Sequence, residues 1–381
     1  MGNFICEYCG NSEEKYLGFC NGRVYCRKCI SFRGEIPKVS LNDNRVDATL
    51  FLDYELTDKQ REISRKIVLS FEEGKNTLIH AVCGAGKTEL VFDVIKKALD
   101  SGLRVGFAIP RRDVVVELSA RLSSTFRNAN VVSVYGSHTE FLVGDLIVLT
   151  THQLYRYSDF FDLLIIDEFD AFPFRDNEIL NTFFKRSVKG NFIVLTATPS
   201  KELLKQFSEP DSVTYELLVR YHNKPIPIPK IVVIPGYFKF LYLSTTLRRF
   251  RREHKPCLVF VPTIERGEVL FSFLKIFVSD GQNVNSKSHN RSEIVEDFKS
   301  GKLQYLVTTS ILERGITIDN LQVIVFDSHS EIFNAETLVQ ISGRVGRKAR
   351  FPCGEVCFLS NKFTKEQSDA VKSIKRANSF L

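Results

Sequence analysis

The chain has 381 residues, 44% apolar and 25% charged, with 21 Gly and 12 Pro, which excludes a fibrous or disordered protein. It is too long for one core, so two large domains, or two plus a small module, are expected. The net charge is +7, and from Val219 onward Lys and Arg number 25 against 15 Asp and Glu, which puts the basic excess in the second half. No apolar run reaches the roughly 18 to 20 residues of a membrane span, and cysteines stand where a secretion signal needs an apolar stretch, so the expected location is cytoplasmic.

Five of the nine cysteines fall in the first 29 residues. Cys6-x2-Cys9 and Cys26-x2-Cys29 are separated by 16 residues, the spacing of a four-cysteine zinc site. Each pair can present two thiolates from one tight turn, and the ion would supply folding energy that so short a segment cannot obtain from a core. A redox role would need one such motif inside a thioredoxin-like βαβ unit, whereas here two lie in a short polar segment. Cys20 is a spare that could substitute as a ligand. Arg23, Arg27 and Lys28 would offset the excess negative charge of four thiolates. Cys83, Cys257, Cys353 and Cys357 sit in or beside apolar stretches and are expected in cores.

A helix is expected to start at Thr57 as N-cap, with Ile63, Ile67 and Leu69 turned inward. Next comes an apolar strand from Asn76, a Gly-rich turn containing Gly84, Ala85, Gly86, Lys87 and Thr88, and a helical stretch from Leu90 to Leu99. Strand, loop and helix in that order make a phosphate loop: backbone N–H groups converge on phosphate at a helix N-terminus. Lys87 would meet the β- and γ-phosphates, and the Thr88 hydroxyl would ligate Mg²⁺. The strict pattern has Gly where this chain has Ala81. About 80 residues further on, a strand over Leu163 to Ile166 delivers Asp167 and Glu168 at its carboxyl end, where ligands of parallel sheets bind. Asp167 would hold the Mg²⁺ water shell and Glu168 would polarise the attacking water.

Three prolines in Lys224-Pro-Ile-Pro-Ile-Pro-Lys230 stiffen an extended connection and put a domain boundary near Val219 to Lys230. The run Arg248-Arg-Phe-Arg-Arg252 suits either a polyanion or a solvated helix face. Apolar runs such as Ile193 to Leu195 and Val323 to Phe326 read as parallel strands covered on both faces. The expected fold is α/β: a zinc module over 1–50, a RecA-like ATP-binding lobe over 51–218 and a second RecA-like lobe over 219–381.

Several segments, in order, resemble the motifs of superfamily-two helicases and translocases: Leu56-Thr-Asp-Lys-Gln60, Ile109-Pro-Arg-Arg112, Thr150-Thr-His-Gln153, Thr196-Ala-Thr-Pro199, Leu258-Val-Phe-Val261, Thr308-Thr-Ser-Ile-Leu-Glu-Arg-Gly315 and Gln340-Ile-Ser-Gly-Arg-Val-Gly-Arg347. The resemblance implies that Gln60 reads adenine, that Arg111, Arg112, Thr151, Thr308 and Thr309 contact nucleic acid, and that Gln340, Arg344 and Arg347 serve the γ-phosphate across a cleft between lobes. The acidic motif is Asp-Glu-Phe-Asp, and Glu313-Arg-Gly-Ile-Thr317 lacks the Asp usual in RNA-remodelling relatives. With the four-cysteine module, these departures are similar to the ComFA family of late-competence ATPases of Gram-positive bacteria. That likeness implies a DNA-dependent ATPase, using ATP, Mg²⁺ and Zn²⁺, that drives single-stranded DNA uptake in natural transformation from the inner face of the cell membrane. The implied partners are single-stranded DNA, the competence uptake channel, a phosphoribosyltransferase-like competence protein and single-strand handling proteins. A DNA-repair or replication-restart helicase, or a non-enzymatic zinc adaptor on a degenerate motor fold, are the alternatives.

Overall fold

The computed structural model describes residues 5–20, 23–32, 34–37, 46–169, 177–285, 287–288, 290–309 and 318–381. The stretches 170–173 and 310–317, which hold parts of two of the motifs, lie outside the described residues. Two compact units emerge: one holds 1–81 and 87–217, the other 82–86 and 218–381.

The first unit begins with an antiparallel hairpin, β1 (Leu17–Cys20) and β2 (Arg23–Cys26). Its main sheet has seven parallel strands: β3 (Asn76–Ala81), β4 (Val105–Ile109), β5 (Val131–Val134), β6 (Leu146–Thr150), β7 (Phe161–Asp167), β8 (Val188–Thr196) and β9 (Ser212–Leu217), in the order β5-β6-β4-β7-β8-β3-β9. Residues of β4 and β6 are buried throughout, as expected of strands covered on both faces. The helices of this unit are α1 (Asp58–Glu72), α2 (Phe92–Asp100), α3 (Arg112–Thr125), α4 (Glu178–Ser187) and α5 (Lys201–Gln206).

In the second unit six parallel strands, β10 (Lys230–Val233), β11 (Cys257–Phe260), β12 (Gly281–Val284), β13 (Tyr305–Thr308), β14 (Gln322–Phe326) and β15 (Val356–Ser360), run in the order β10-β15-β14-β11-β13-β12. Its helices are α6 (Phe238–Arg252), α7 (Ile264–Phe277), α8 (Arg291–Lys299), α9 (Ala335–Ser342) and α10 (Lys365–Asn378). Beyond the end of β14, Asp327 ion-pairs with the buried Lys239 and, at 2.6 Å, with Arg266; Lys239 also donates to Asn361 at 2.8 Å. This charged knot inside an apolar core has no counterpart in the sequence reading.

Three local expectations need correction, and one open reading is narrowed. Helix α1 does start on a Thr57 capping box, but Leu69 is exposed and the inward face is Gln60, Ser64, Ile67 and Ser70. Residues 67 and 69 are about 200° apart around a helix and cannot share a face, and Ser64 is admitted because its hydroxyl donates to the Leu90 carbonyl at 3.0 Å and to Asp93 at 2.7 Å. The stretch after the Gly-rich turn opens as a 3-10 turn, Glu89–Val91, before α2 begins. Cys257 is a core residue whereas Cys353 is exposed. In the basic run, Phe250 is core, Arg249 grips Glu355 with bonds of 2.8 and 2.6 Å, and Arg251 meets Asp280 at 2.7 Å. Much of its charge is therefore balanced locally.

Candidate nucleotide, nucleic-acid and metal sites

The sheet register builds the first site. In β3, His80 lies opposite Thr196 of β8, and Leu195 of β8 lies opposite Asp167 of β7. The ends of these three strands therefore stand side by side on one carboxyl edge, with the Gly-rich turn, Thr196-Ala-Thr-Pro199 and Asp167-Glu168 leaving from adjacent positions. Lys87 Nζ and Asp167 Oδ1 are 3.7 Å apart, and both side chains are largely but not fully covered. Gly84 and Gly86 adopt φ of +83° and +80°, a region that L side chains rarely enter, so the glycines are required by the path of the loop. Ala85 between them is buried, its N–H bonded to the Val82 carbonyl at 3.0 Å.

Glu168 also has a left-handed backbone, φ +63°, while its N–H donates to the Leu195 carbonyl at 2.8 Å. A glutamate held there stores strain of about 1 kcal/mol or more, a cost usually met where a side chain must be aimed. Gln60 accepts at Oε1 from the Thr57 N–H at 2.9 Å, so part of its amide closes the capping box. Thr88 starts the 3-10 turn that leads into α2.

The same edge continues toward β5. Arg111 occupies the N-cap position of α3, two residues beyond β4, and the Arg112 guanidinium lies 5.1 Å from the Tyr135 ring centroid, which stacks on His138 at 4.9 Å. Phe141 is 70% exposed nearby in sequence. Tyr135 and His138 have no counterpart in the sequence reading; the only signal was an aromatic and a histidine flanking Gly136 just past a strand.

Two residues expected to contact nucleic acid are buried here. Thr151 is fully buried and the exposed member of its segment is His152. Thr308 is fully buried as the last residue of β13, with its hydroxyl donating to the Thr309 carbonyl at 3.0 Å, and Thr309 is partly exposed. Strand alternation and helical turns put neighbouring motif residues on opposite sides, so a motif's most polar residue need not be its outward one.

In the second unit α9 carries Gln340 and ends at Gly343. Arg344 follows, buried, and the Arg347 Nε donates to the Gly343 carbonyl at 3.1 Å. Gly346 has φ +70°, and a Cβ there would stand 2.3 Å from the Pro352 carbonyl oxygen, so the turn that carries both arginines requires glycine.

The four N-terminal cysteines converge. All of their sulfurs lie within 4.8 Å of one another and all four residues are buried. Cys6 to Cys29 is 3.6 Å and Cys9 to Cys26 is 3.7 Å, too long for a disulfide and close to the ~3.8 Å edge of a tetrahedron whose metal–sulfur bonds are about 2.3 Å. Burial pushes the Cys9 thiol up to about 11, and burial together with the neighbouring sulfurs raises Cys29 further. Four thiolates this close need a cation to exist together, and the donor set fits Zn²⁺. Cys20 is exposed and outside the cluster.

The module is not a free appendage. Phe32 packs edge-on against Phe183 of α4 at 5.1 Å, meets Tyr155 at 5.9 Å and stacks on His152 at 6.3 Å. Arg186 donates to the Glu7 and Tyr8 carbonyls at 3.2 Å, Arg156 to the Glu35 carbonyl at 2.6 Å, and Lys28 pairs with Glu178 at 3.0 Å. The cysteines share one apolar cluster with Leu180, Phe183, Phe184 and the strands behind them.

Comparison with known proteins agrees with this layout. The family model described as type III restriction enzyme, res subunit, matches residues 53–201, and the helicase conserved C-terminal domain matches 239–349. Among solved structures, yeast Dbp5 bound to RNA and ADP BeF3 has a similar fold, with a TM-score of 0.63 at 15% identity over 86% of this chain and 92% of that one. The helicase MrfA bound to DNA superposes with a TM-score of 0.58 at 13% identity, over 87% of this chain and 52% of that one. Two parallel-sheet RecA-like lobes with these motifs define a superfamily-two, helicase-like ATP-hydrolysing enzyme. Over 396 aligned residues the chain is 34% identical to the competence protein ComFA of Bacillus subtilis, spanning 98% of this chain and 86% of that one. The corresponding protein of Streptococcus pneumoniae is 33% identical over 99% of this chain and 91% of its own length. The chain belongs to the ComFA family of competence proteins.

Proposed function

We propose that this protein is an ATP-dependent single-stranded DNA translocase that helps draw incoming DNA into the cell during transformation. The observation that carries the reading is the adjacency of Lys87 and Asp167, 3.7 Å apart where the turn after β3 meets the carboxyl end of β7, the two strands that flank β8, in a chain similar over nearly its whole length to competence proteins. The backbone of Gly84, Ala85 and Gly86 would cradle phosphate, with Lys87 neutralising the β- and γ-phosphates. Mg²⁺, when bound, would neutralise phosphate charge; Thr88 and Asp167 are the residues that would hold it. Glu168, aimed by its left-handed backbone, would orient the attacking water. Arg344 and Arg347 would offset charge developing on the γ-phosphate, and Gln340 would position them. Gln60 would read the base, with the amide that also closes the capping box.

Phosphates of DNA would meet Arg111 and Arg112, while Tyr135, His138 and His152 offer rings on which bases can stack, and Thr309 replaces Thr308 on the second unit. Cys6, Cys9, Cys26 and Cys29 would hold one structural Zn²⁺ with no open coordination position. The domain division supporting this reading is a zinc module over 1–50, a nucleotide-binding lobe over 51–218 and a second lobe over 219–381. Uptake-channel, phosphoribosyltransferase-like and single-strand handling proteins are the proposed partners, met at the cytoplasmic face of the membrane. A transcription-repair-coupling factor of Buchnera aphidicola is also similar, 24% identical over 96% of this chain and 43% of that one, which makes a repair helicase the competing reading. Measuring ATP hydrolysis with single-stranded DNA, duplex DNA and RNA in parallel tests the proposal. Strongest stimulation by single-stranded DNA without separation of a forked duplex supports translocation, whereas best stimulation by RNA, or indifference to nucleic acid, refutes it.

A further inference from the structure

Arg220 is among the most deeply buried large side chains of the molecule, 2% exposed, and no carboxylate pairs with it among the described residues. Its guanidinium instead grips one turn of backbone. Nη1 donates to the Val345 carbonyl at 2.8 Å and to the Gly346 carbonyl at 2.7 Å, and Nη2 donates to the Gly343 carbonyl at 3.1 Å. Burial pushes its pKa down to about 10, still well above neutrality, so the group stays charged. The compensation comes from the carbonyl dipoles beyond the C-terminus of α9, where a cation is favoured. The next two residues hold the same stretch: the Tyr221 hydroxyl accepts from the Ala349 N–H at 3.2 Å, and His222 Nε2 bonds to the Gly346 carbonyl at 2.9 Å. The Lys224 N–H donates to His222 Nδ1 at 3.2 Å, which leaves Nε2 as the protonated nitrogen and donor of a neutral ring. Three consecutive residues, Arg220, Tyr221 and His222, thus clasp the turn 343–349 that carries Arg344 and Arg347.

We propose that Arg220 is a positioning residue for hydrolysis: it fixes the 343–347 turn so that Arg344 and Arg347 are presented in one geometry, and His222 steadies the same turn. The inference rests on the reading of Arg347 as a charge that serves the γ-phosphate. A lysine cannot replace Arg220, because one ammonium on a flexible stem does not span three carbonyls held by a planar fork. Groups that stabilise a transition state must be placed to within a fraction of an ångström, so a loosened turn lowers turnover and leaves ground-state ATP binding nearly intact.

The test is steady-state ATPase of the full chain with Mg²⁺ and saturating oligo-dT, for Arg220→Gln, Arg220→Lys, His222→Ala, Arg347→Ala and the double variant Arg220→Gln/Arg347→Ala. Expected are a kcat loss of about 10- to 100-fold for both Arg220 variants with KM for ATP changed less than about threefold, and a loss of about 1,000-fold for Arg347→Ala. The double variant should lose clearly less than the product of the two single losses, because Arg220 acts through the turn and what remains to be lost is its hold on Arg344. Affinity for ADP with aluminium fluoride, a transition-state mimic, should fall while affinity for a non-hydrolysable ATP analogue holds; a merely structural role would lower both together. Near-normal kcat in folded Arg220 variants, beside an impaired Arg347→Ala, overturns the proposal and leaves the finger reading standing. Near-normal kcat in Arg347→Ala overturns the finger reading and the proposal with it. If neither Arg220 variant folds, His222→Ala decides: a loss of roughly 3- to 10-fold in kcat at constant KM supports the clasp, and unchanged kcat overturns it.

Discussion

Replacing Cys26 and Cys29 by serine should do more than release a metal. From sequence the module looks separable, but the structure seats Phe32 against Phe183 and Tyr155, which are 1% and 7% exposed, and places the cysteines in the same apolar cluster as Leu180. Two serines leave Cys6 and Cys9 as the only thiolates, too few to hold a structural ion, so the module unfolds. An aromatic ring buries about 150 to 250 Å². Uncovering one such equivalent on each side of the seam exposes on the order of 200 Å² of first-unit surface, worth about 5 kcal/mol at about 25 cal/mol per Å². A unit of this size loses about 2 to 4 °C in melting temperature per kcal/mol, so its transition should fall by roughly 10 to 20 °C. Below that temperature basal ATP hydrolysis should persist, because Lys87 stands in the turn that follows β3 and Asp167 at the end of β7, not on the module. Elemental analysis and scanning calorimetry of both proteins check this together. Zinc near one per chain in the parent, lost in the variant with a transition displaced by less than about 2 °C, would refute the argument that the module completes the core; absence of metal in the parent would refute the site.

Lys87→Ala should lose both nucleotide affinity and turnover, while Glu168→Gln should bind ATP normally and turn over at least about 100-fold more slowly; equilibrium binding and single-turnover hydrolysis separate the two, and near-normal turnover in either variant refutes the assignment. Asp327→Asn leaves Lys239 buried without its anion, which should cost about 3 to 5 kcal/mol and lower the transition of the second unit by roughly 6 to 20 °C in calorimetry; an unmoved transition means that the pair contributes nothing. The His222 pKa lies below its ordinary value of 6.5, chiefly through burial, so the unfolded chain binds the extra proton first. The stability contributed by neutral His222 is therefore complete above about pH 6.5 and is lost as pH falls toward the lower folded value. His222→Ala should flatten that part of the stability–pH curve between pH 7 and 5, and an unchanged slope contradicts the neutral-ring assignment.

The parts of the site that were legible in sequence are those whose chemistry lies in consecutive residues. A Gly-rich turn between strand and helix, a strand ending in Asp167-Glu168, and paired CxxC motifs each specify local geometry and chemistry at once, and parallel-sheet topology then brings strand ends together. What was not legible depended on partners distant in sequence. Nothing near Arg220 signals that its partners lie more than 120 residues away, and a residue in a proline-rich boundary reads as surface. Ser64 faces inward because Asp93, 29 residues on, accepts its hydroxyl, a partner that the helix's own sequence does not show. Thr151 and Thr308 were expected at nucleic acid from their motif positions alone, and a motif position does not say how deep a residue lies, which is decided by the pleat and by what packs above. Sequence left Arg249 and Arg251 open between a polyanion surface and a solvated helix face, because their partners Glu355 and Asp280 are brought to them only by the fold.

Helix α4 places two adjacent rings on different neighbours. Phe183 meets Phe32 of the cysteine module, and Phe184 meets Phe169, the residue directly after Glu168, with ring centroids 5.4 Å apart. A displacement of this one helix would disturb both contacts. If a ligand of the module shifts α4 and changes the affinity for nucleotide by some factor, reciprocity requires bound nucleotide to change the affinity for that ligand by the same factor. The module would then report the nucleotide state outward as faithfully as it passes a signal inward, and a binding measurement on the module, made with and without nucleotide, would read the motor's state without measuring hydrolysis at all.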